Sequence, residues 1–549
     1  ATPNTVNAGT GNVRLTPRTT TFTVEFGETD TALVTDVYYS SAWTGFTAGS
    51  FTVGAAGHTG TITLTGVAGV PYPLLVQNGG AGGIAVIANY SSANRNLTLD
   101  SGTGGVTLGA MTIGLGTGIL QISDPLDPVT LVGNTTLTAN GGITLSSTVN
   151  ADAAVNNRTL TLNSSGTTNV TGPVGGAQAL QSVTTDAGGT TVIGSVTTRG
   201  PQSYGDNVTL NGAAYVTNEA GPGGTFTIGG TTTLGANVVV TSGTGAVTFT
   251  GAVNALAAGV QSLTVNTTGT TTFNSTVGTG TALSSLTMDA GGTTAIDGGA
   301  VRTTGAQTYN DAVRMGADTN FTANALSLVR FAGTLGGGGT ARSVTVTTAN
   351  ARFDGAVGGV GNLVSTLSVA GTTLIAAPTI TTTGWQLYAG LMTLNTNAVL
   401  TTTDANIQFM NAITADVADT RDLTFDVGSG NVAVFNALGV TRLRAITVTS
   451  ANNVTFGAGV TAVSYTQSAC TGTTTFNGAQ DYTGAFSFTG NGLTVNEGMT
   501  VGGTTTITNA GLFTKNATGA ISSAGGLTQN GAGTNSIGAN VTTTNTSLS

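Results

Sequence analysis

Four aspartates crowd one short stretch, Asp416, Asp419, Asp422 and Asp426, with Arg421 among them and Asp404 a little upstream. Two carboxylates facing each other across a scissile bond could hydrolyse a glycoside. Several hard oxygen ligands could instead hold a calcium ion, the one cofactor these residues suggest. The plainer reading, a solvated rim of loops and strand ends, is preferred here. Other reactive side chains are scarce. His58 is the only histidine, which excludes multi-histidine metal sites and would leave a Ser-His-Asp triad resting on a residue in a Gly-rich turn. Cys470 is the only cysteine, so no intrachain disulfide exists, and its strand-like surroundings suit a small core residue better than a nucleophile. No catalytic residue is assigned.

The most regular polar feature is a pentad. Gly305-Ala-Gln307-Thr-Tyr309 returns as Gly384-Trp-Gln386-Leu-Tyr388, and an earlier copy reads Gly200-Pro-Gln202-Ser-Tyr204. The Gln and Tyr of each copy, two residues apart, face one side of a strand. They could form a glycan-binding ridge, but a packed or hydrogen-bonded structural element is the expected role.

These pentads sit in a longer grammar: a Phe-Asn/Asp step, a Gly-rich turn, a Leu-x-Val/Met strand, then Gly-Thr-Thr and an Ile. Phe273, Phe353 and Phe435 open three such segments, 80 and 82 residues apart, and Gln307 precedes Gln386 by 79. Within each segment short alternating runs recur roughly every 20 residues. A fixed period of this kind marks a solenoid, in which one repeat cannot bury its own apolar face and must stack on its neighbours. The expected fold is all-β, a parallel β-helix with about 20 residues per rung. The pentads would then lie about four rungs apart, and about 27 rungs at roughly 4.8 Å would span about 130 Å.

Composition agrees. Charged residues are 7% of the 549, glycines number 85, and the apolar fraction is 39%. Disorder would need low hydrophobicity as well as few aromatics. Thr triplets such as 231–233, 270–272, 381–383 and 473–475 supply a polar surface without charge. Thr-x-Thr steps, as at Thr61 and Thr159, raise an ice-binding reading, but it needs one hydroxyl register on every rung and the steps look scattered. A net charge of −9 offers no basic stripe for nucleic acid. No run of about 18 apolar residues could form a transmembrane helix.

Along the chain, residues 1–150 are expected to form irregular rungs with longer loops, holding Trp43, Tyr38, Tyr39, His58, Glu25, Glu28, Asp30 and Asp36. Asp124-Pro125-Leu126-Asp127-Pro128 reads as a loop, because two prolines so close cannot sit inside a paired strand. Residues 151–549 are regular and continuous with the first part. Asn-Gly pairs at 211–212, 477–478 and 491–492 could be hairpins, yet a parallel coil explains the period better. The start at Ala1 without Met and the uncapped look of both ends suggest an excised piece, or copies that stack end to end.

Gly305-Ala-Gln-Thr-Tyr309, Leu286-Thr-Met-Asp-Ala-Gly-Gly-Thr-Thr294, Thr473-Thr-Thr-Phe-Asn-Gly478 and Leu527-Thr-Gln-Asn-Gly-Ala-Gly533 resemble the β-strand repeats of filamentous-haemagglutinin-like and autotransporter-like bacterial surface proteins. The resemblance covers about 150–549. It implies a right-handed β-helix, export, and a place outside the cell or on its surface in adhesion, aggregation or a surface layer, with copies of itself, glycans or host surfaces as partners. The secretion motif Asn-Pro-Asn-Gly and a C-terminal translocator barrel are missing from these residues, so the route of export stays open. β-Helices also include polysaccharide lyases and hydrolases, but no Asp-Asp pair or Gly-His-Gly occurs, and Gly336 to Gly339 lead into no Asp of a Ca²⁺ nonapeptide. The expectation is therefore a non-enzymatic adhesive or structural solenoid. The alternatives are a polysaccharide-binding or polysaccharide-cleaving β-helix centred on the 404–426 acids, and an inert spacer.

Overall fold

Alternation with period two governs nearly every element. In Thr159–Asn163, Leu160 and Leu162 are buried while Thr159, Thr161 and Asn163 face outward. Successive side chains of a strand point to opposite faces, so each short run presents an apolar side to the interior and a hydroxyl or amide to water. The computed structural model describes residues 5–27, 36–40, 43–544 and 546–549; Glu28, Asp30 and the side chain of Asp36 lie outside the described residues. Helix among these is limited to two single turns, Gly102–Gly104 and Ala154–Asn156.

The chain forms two compact units, Ala1–Leu283 and Ser284–Ser549. Each is a parallel β-solenoid with three strands to a rung. In the first unit one face is an 11-stranded sheet running from Asn12–Leu15 to Val253–Ala255. A second face of 7 strands runs from Asp36–Ser40 to Val149–Ala151, and a third climbs from Val67–Val70 to Thr270–Phe273. In the second unit a 12-stranded sheet runs from Ala300–Arg302 to Asn535–Ile537. It is flanked by ladders that end at Leu527–Gln529 and Val541–Thr543.

The ladder Ile62, Ile84, Val106, Val129, Val149 shows the step directly. A rung takes about 22 residues rather than the expected 20, because three strands need three corner turns. Asn211-Gly212 and Asn477-Gly478 lie between strands of successive faces, and Asn491-Gly492 leads into the strand Gly492–Val495; none makes a hairpin, since those strands pair in parallel with the rungs above and below. At the corners the backbone of one rung passes so close to the next that a side chain has no room. Gly223 and Gly358 both adopt positive φ, 113° and 69°, with the carbonyls of Ser242 and Thr381 where a Cβ would stand.

The longer rung corrects the placement of the pentads. Gln307 stacks in the column of Val329, Ala351, Thr373 and Met392, whereas Gln386 stands between Leu367 and Ile407 on another face. Seventy-nine residues are therefore not four rungs but one face short of four. The same offset breaks the equivalence of the three phenylalanines. Phe273 and Phe353 are buried, but Phe435 is 52% exposed, and Val434 takes the inward position between Phe409 and Phe456.

The interior is a set of in-register columns. Ile113, Leu137, Leu162, Thr185, Tyr204, Ile228, Phe249 and Phe273 stack on successive rungs of the first unit. In the second, Tyr309, Phe331 and Phe353 stack with centroids 5.2 and 5.6 Å apart and ring planes within 7° of parallel. The N-terminal rungs carry a different knot, in which Trp43 meets Phe26, Phe51 and Tyr72 edge-on. The Asp124 to Pro128 segment is a loop between Ile119–Ile122 and Val129–Leu131, as the prolines require.

Candidate functional site

Each pentad closes inward on itself. Gln202, Tyr204, Gln307, Tyr309, Gln386 and Tyr388 are all buried. The Gln Nε2 donates across the rung to a backbone carbonyl, Val216, Thr322 or Thr401, at 2.9 Å in each copy. The Gln Oε1 accepts from the Tyr hydroxyl two residues on, at 3.1, 3.2 and 2.9 Å. A threonine four residues before the Gln completes the brace: Thr198, Thr303 and Thr382 accept from Nε2 at 3.2 Å. Each then donates to the carbonyl of the pentad glycine. The named polar atoms of the Gln and Tyr are satisfied inside the rung, so these side chains present no exposed ridge to a glycan. A fourth copy, Gly478-Ala-Gln480-Asp-Tyr482, lacks the threonine because Phe476 stands there; Gln480 Nε2 turns to its own Gly478 carbonyl at 2.6 Å.

The Gly-Thr-Thr step is bound into the same brace by a residue not singled out in the sequence. Thr191 donates to Asp206 at 2.8 Å and Thr294 donates to Asp311 at 2.9 Å, each Asp lying two residues after a pentad Tyr. Burial pushes both carboxyls up, Asp311 to about 6. In the third copy Gly390 replaces the Asp, and the buried hydroxyl of Thr373 has no partner.

The acids chosen from sequence do not converge. Arg421 grips Asp416 with two bonds of 2.6 and 2.9 Å, and Arg442 grips Asp419 in the same way from the next rung. Arg444 holds Asp422, while Asp426 accepts from Ser450 at 2.5 Å. Asp404 accepts from the Ser429 amide. The guanidinium of Arg421 holds the Asp416 carboxyl down to about 2. Among the described residues Asp416, Asp419, Asp422 and Asp426 form no group with three ligand oxygens together, so the geometry does not assemble the alternative calcium site there. The sequence showed the acids but not the arginines one rung on, since Arg442 and Arg444 are 23 and 22 residues from their partners.

His58 is buried with Nε2 unpartnered, and that burial lowers its affinity for a proton. Cys470 is buried, its thiol pushed up by that burial and donating to the Asn452 carbonyl, as a core residue would.

Three features the sequence reading passed over remain on the surface. Thr112, Thr136, Thr161, Thr184, Ser203, Thr227, Thr248 and Thr272 stand in one outward column on consecutive rungs. On this face the hydroxyls are in register on consecutive rungs; Thr161 of the 159–161 step belongs to the column, whereas Thr63 of the 61–63 step stacks on Ala85 in another sheet. Trp385, the variable residue of the third pentad, is 45% exposed and walls a shallow depression with Leu387, Asn406 and Gln408. Asp100, Asp124 and Asp127 bring one carboxylate oxygen each within 4.8 Å of the others. Comparison of the chain with protein-family models, curated proteins and solved structures returns no match.

Proposed function

We propose that this chain is a non-enzymatic structural and adhesive β-solenoid of the bacterial cell surface, working outside the cell as an adhesin passenger or as a subunit of a fibre, sheath or surface layer. The observation that carries this reading is the eight-membered outward hydroxyl column, repeated once per rung at the strand spacing of about 4.8 Å. A periodic column of uncharged hydroxyls of this kind matches an extended polymer or another copy of itself. The inward Gln and Tyr of the pentads are engaged in bracing the rungs, and Asp416, Asp419 and Asp422 are engaged by arginines.

Electron microscopy of the native material at low concentration tests the reading. Uniform fibres with a constant axial repeat support a polymerising subunit, and particles tethered to cells support the adhesin form. Dispersed particles that bind neither cells nor one another overturn both.

A polysaccharide-binding role is the second reading, and Trp385 favours it. An exposed indole beside Asn406 and Gln408 offers an apolar plate with amides at its rim, the combination that holds a sugar ring. Trp385→Ala would abolish glycan-array binding under this reading; binding that survives the substitution rules out that platform. Cleavage is disfavoured, since among the 404–426 acids Asp422 is engaged by Arg444 and Asp426 by Ser450.

A further inference from the structure

We propose that Asp100, Asp124 and Asp127 bind a calcium ion that ties the 123–128 loop to the rung beneath it. The proposal stands apart from the adhesive reading and concerns how the solenoid is held together.

The three aspartates come from two levels of the coil. Asp100 ends the strand Leu97–Asp100, while Asp124 and Asp127 belong to the loop that follows the paired strand Ile119–Ile122. Their oxygens share a small pocket whose other polar walls include Thr98 and Ser123. No arginine or lysine is paired with any of the three among the described residues, whereas Asp152, Asp416, Asp419 and Asp422 each have one and Asp354 has two. Like charges are gathered here without a counter-charge.

A second, independent observation comes from Asp127. Its side chain is fully buried, with 0% exposure. Oδ1 accepts from both the amide and the hydroxyl of Ser101, at 3.0 and 2.8 Å, while Oδ2 is buried with no partner at all. A buried carboxylate oxygen without a donor is costly, and a cation is the partner that satisfies it. The other two acids keep ligand capacity as well: Gln77 donates to Oδ2 of Asp100, and the Leu126 amide to Oδ1 of Asp124.

The donor set selects the ion. All three ligands are carboxylate oxygens, which suits a hard cation and not zinc or copper. Opposite ligands around calcium stand about 4.6–5.2 Å apart, so oxygens within 4.8 Å fit one coordination shell. Magnesium, with metal–oxygen distances of about 2.0–2.1 Å, demands a tighter and more regular set. Thr98, Ser123 and water can complete the larger shell.

The experiment uses the full chain stripped with EDTA and titrated with CaCl₂ by calorimetry, with MgCl₂ in parallel and thermal unfolding followed with and without each. We expect one equivalent of calcium bound with a dissociation constant of roughly 0.1–1 mM, a range typical of extracellular modules. A rise in Tm should accompany it, and magnesium should bind more weakly. Asp100→Asn and Asp124→Asn, both at partly exposed positions, should each weaken binding about tenfold or more while the circular dichroism spectrum is retained. Asp416→Asn should leave it unchanged. Absence of heat and of any Tm shift up to about 10 mM calcium overturns the proposal. So does binding that survives both Asp100→Asn and Asp124→Asn, or that is lost in Asp416→Asn.

Discussion

At the residue scale, the two threonines that occupy the same place in successive braces make opposite predictions. Thr294 donates to a buried carboxylate, so Thr294→Val should destabilise the second unit by about 1–3 kcal/mol by orphaning Asp311. Thr373 has a buried hydroxyl with nothing to bond, so Thr373→Val should be neutral or stabilise by up to about 1 kcal/mol. Urea unfolding read by hydrogen exchange over the affected strands measures both, because rungs open locally in a solenoid. Asp311 adds a pH signature. Its folded value is raised to about 6, above that of an unfolded aspartate, so the folded state binds more protons between about 6 and 4. Stability should therefore rise as pH falls through that window, and Asp311→Asn should flatten the curve there. A curve of unchanged slope in the variant would assign the dependence elsewhere.

At the scale of elements, apolar columns outweigh the surface ion pairs. Phe331 is stacked between Tyr309 and Phe353, fully buried, and Phe331→Ala should cost about 3–5 kcal/mol, with the loss of exchange protection centred on Gln307–Tyr309 and Asn350–Phe353. Arg444→Ala, which removes a two-bond grip on Asp422 at an exposed, solvent-screened rim, should cost far less than Phe331→Ala. Equal effects in the two variants would contradict this ordering. The element scale is also where the sequence reading misjudged phase. Alternation made Val434 and Phe435 equally good candidates for the interior, and only the columns of neighbouring rungs, Phe409 and Phe456, chose Val434.

At the scale of the whole molecule, charge is sparse and much of it is tied down. The single lysine, Lys515, is 1% exposed, and its ammonium donates to the carbonyls of Asn516 and Thr518 at 2.7 and 2.8 Å. Amine-reactive labels should therefore modify the folded protein only at its α-amino group, and Lys515 only after denaturation, as peptide mapping would show. With 14 lysines and arginines in 549 residues, most described arginines on strands or in ion pairs, trypsin should leave large fragments. Rapid digestion of the folded protein to small peptides would refute this.

The sequence by itself determined the class of fold: Leu160 and Leu162 alternating with Thr159 and Thr161, glycine at the corners, and self-similarity admit little besides a stacked parallel coil. It also sufficed to mark the pentads and the proline-bounded loop, because these are local. Which side chains meet was decided only by the tertiary structure. A contact between rungs joins residues about 22 apart, and an error of two residues in that step moves a side chain to another column within a few rungs. Asp416 thus found an arginine instead of a second carboxylate, while Asp100 met Asp124 and Asp127 across one turn of the coil.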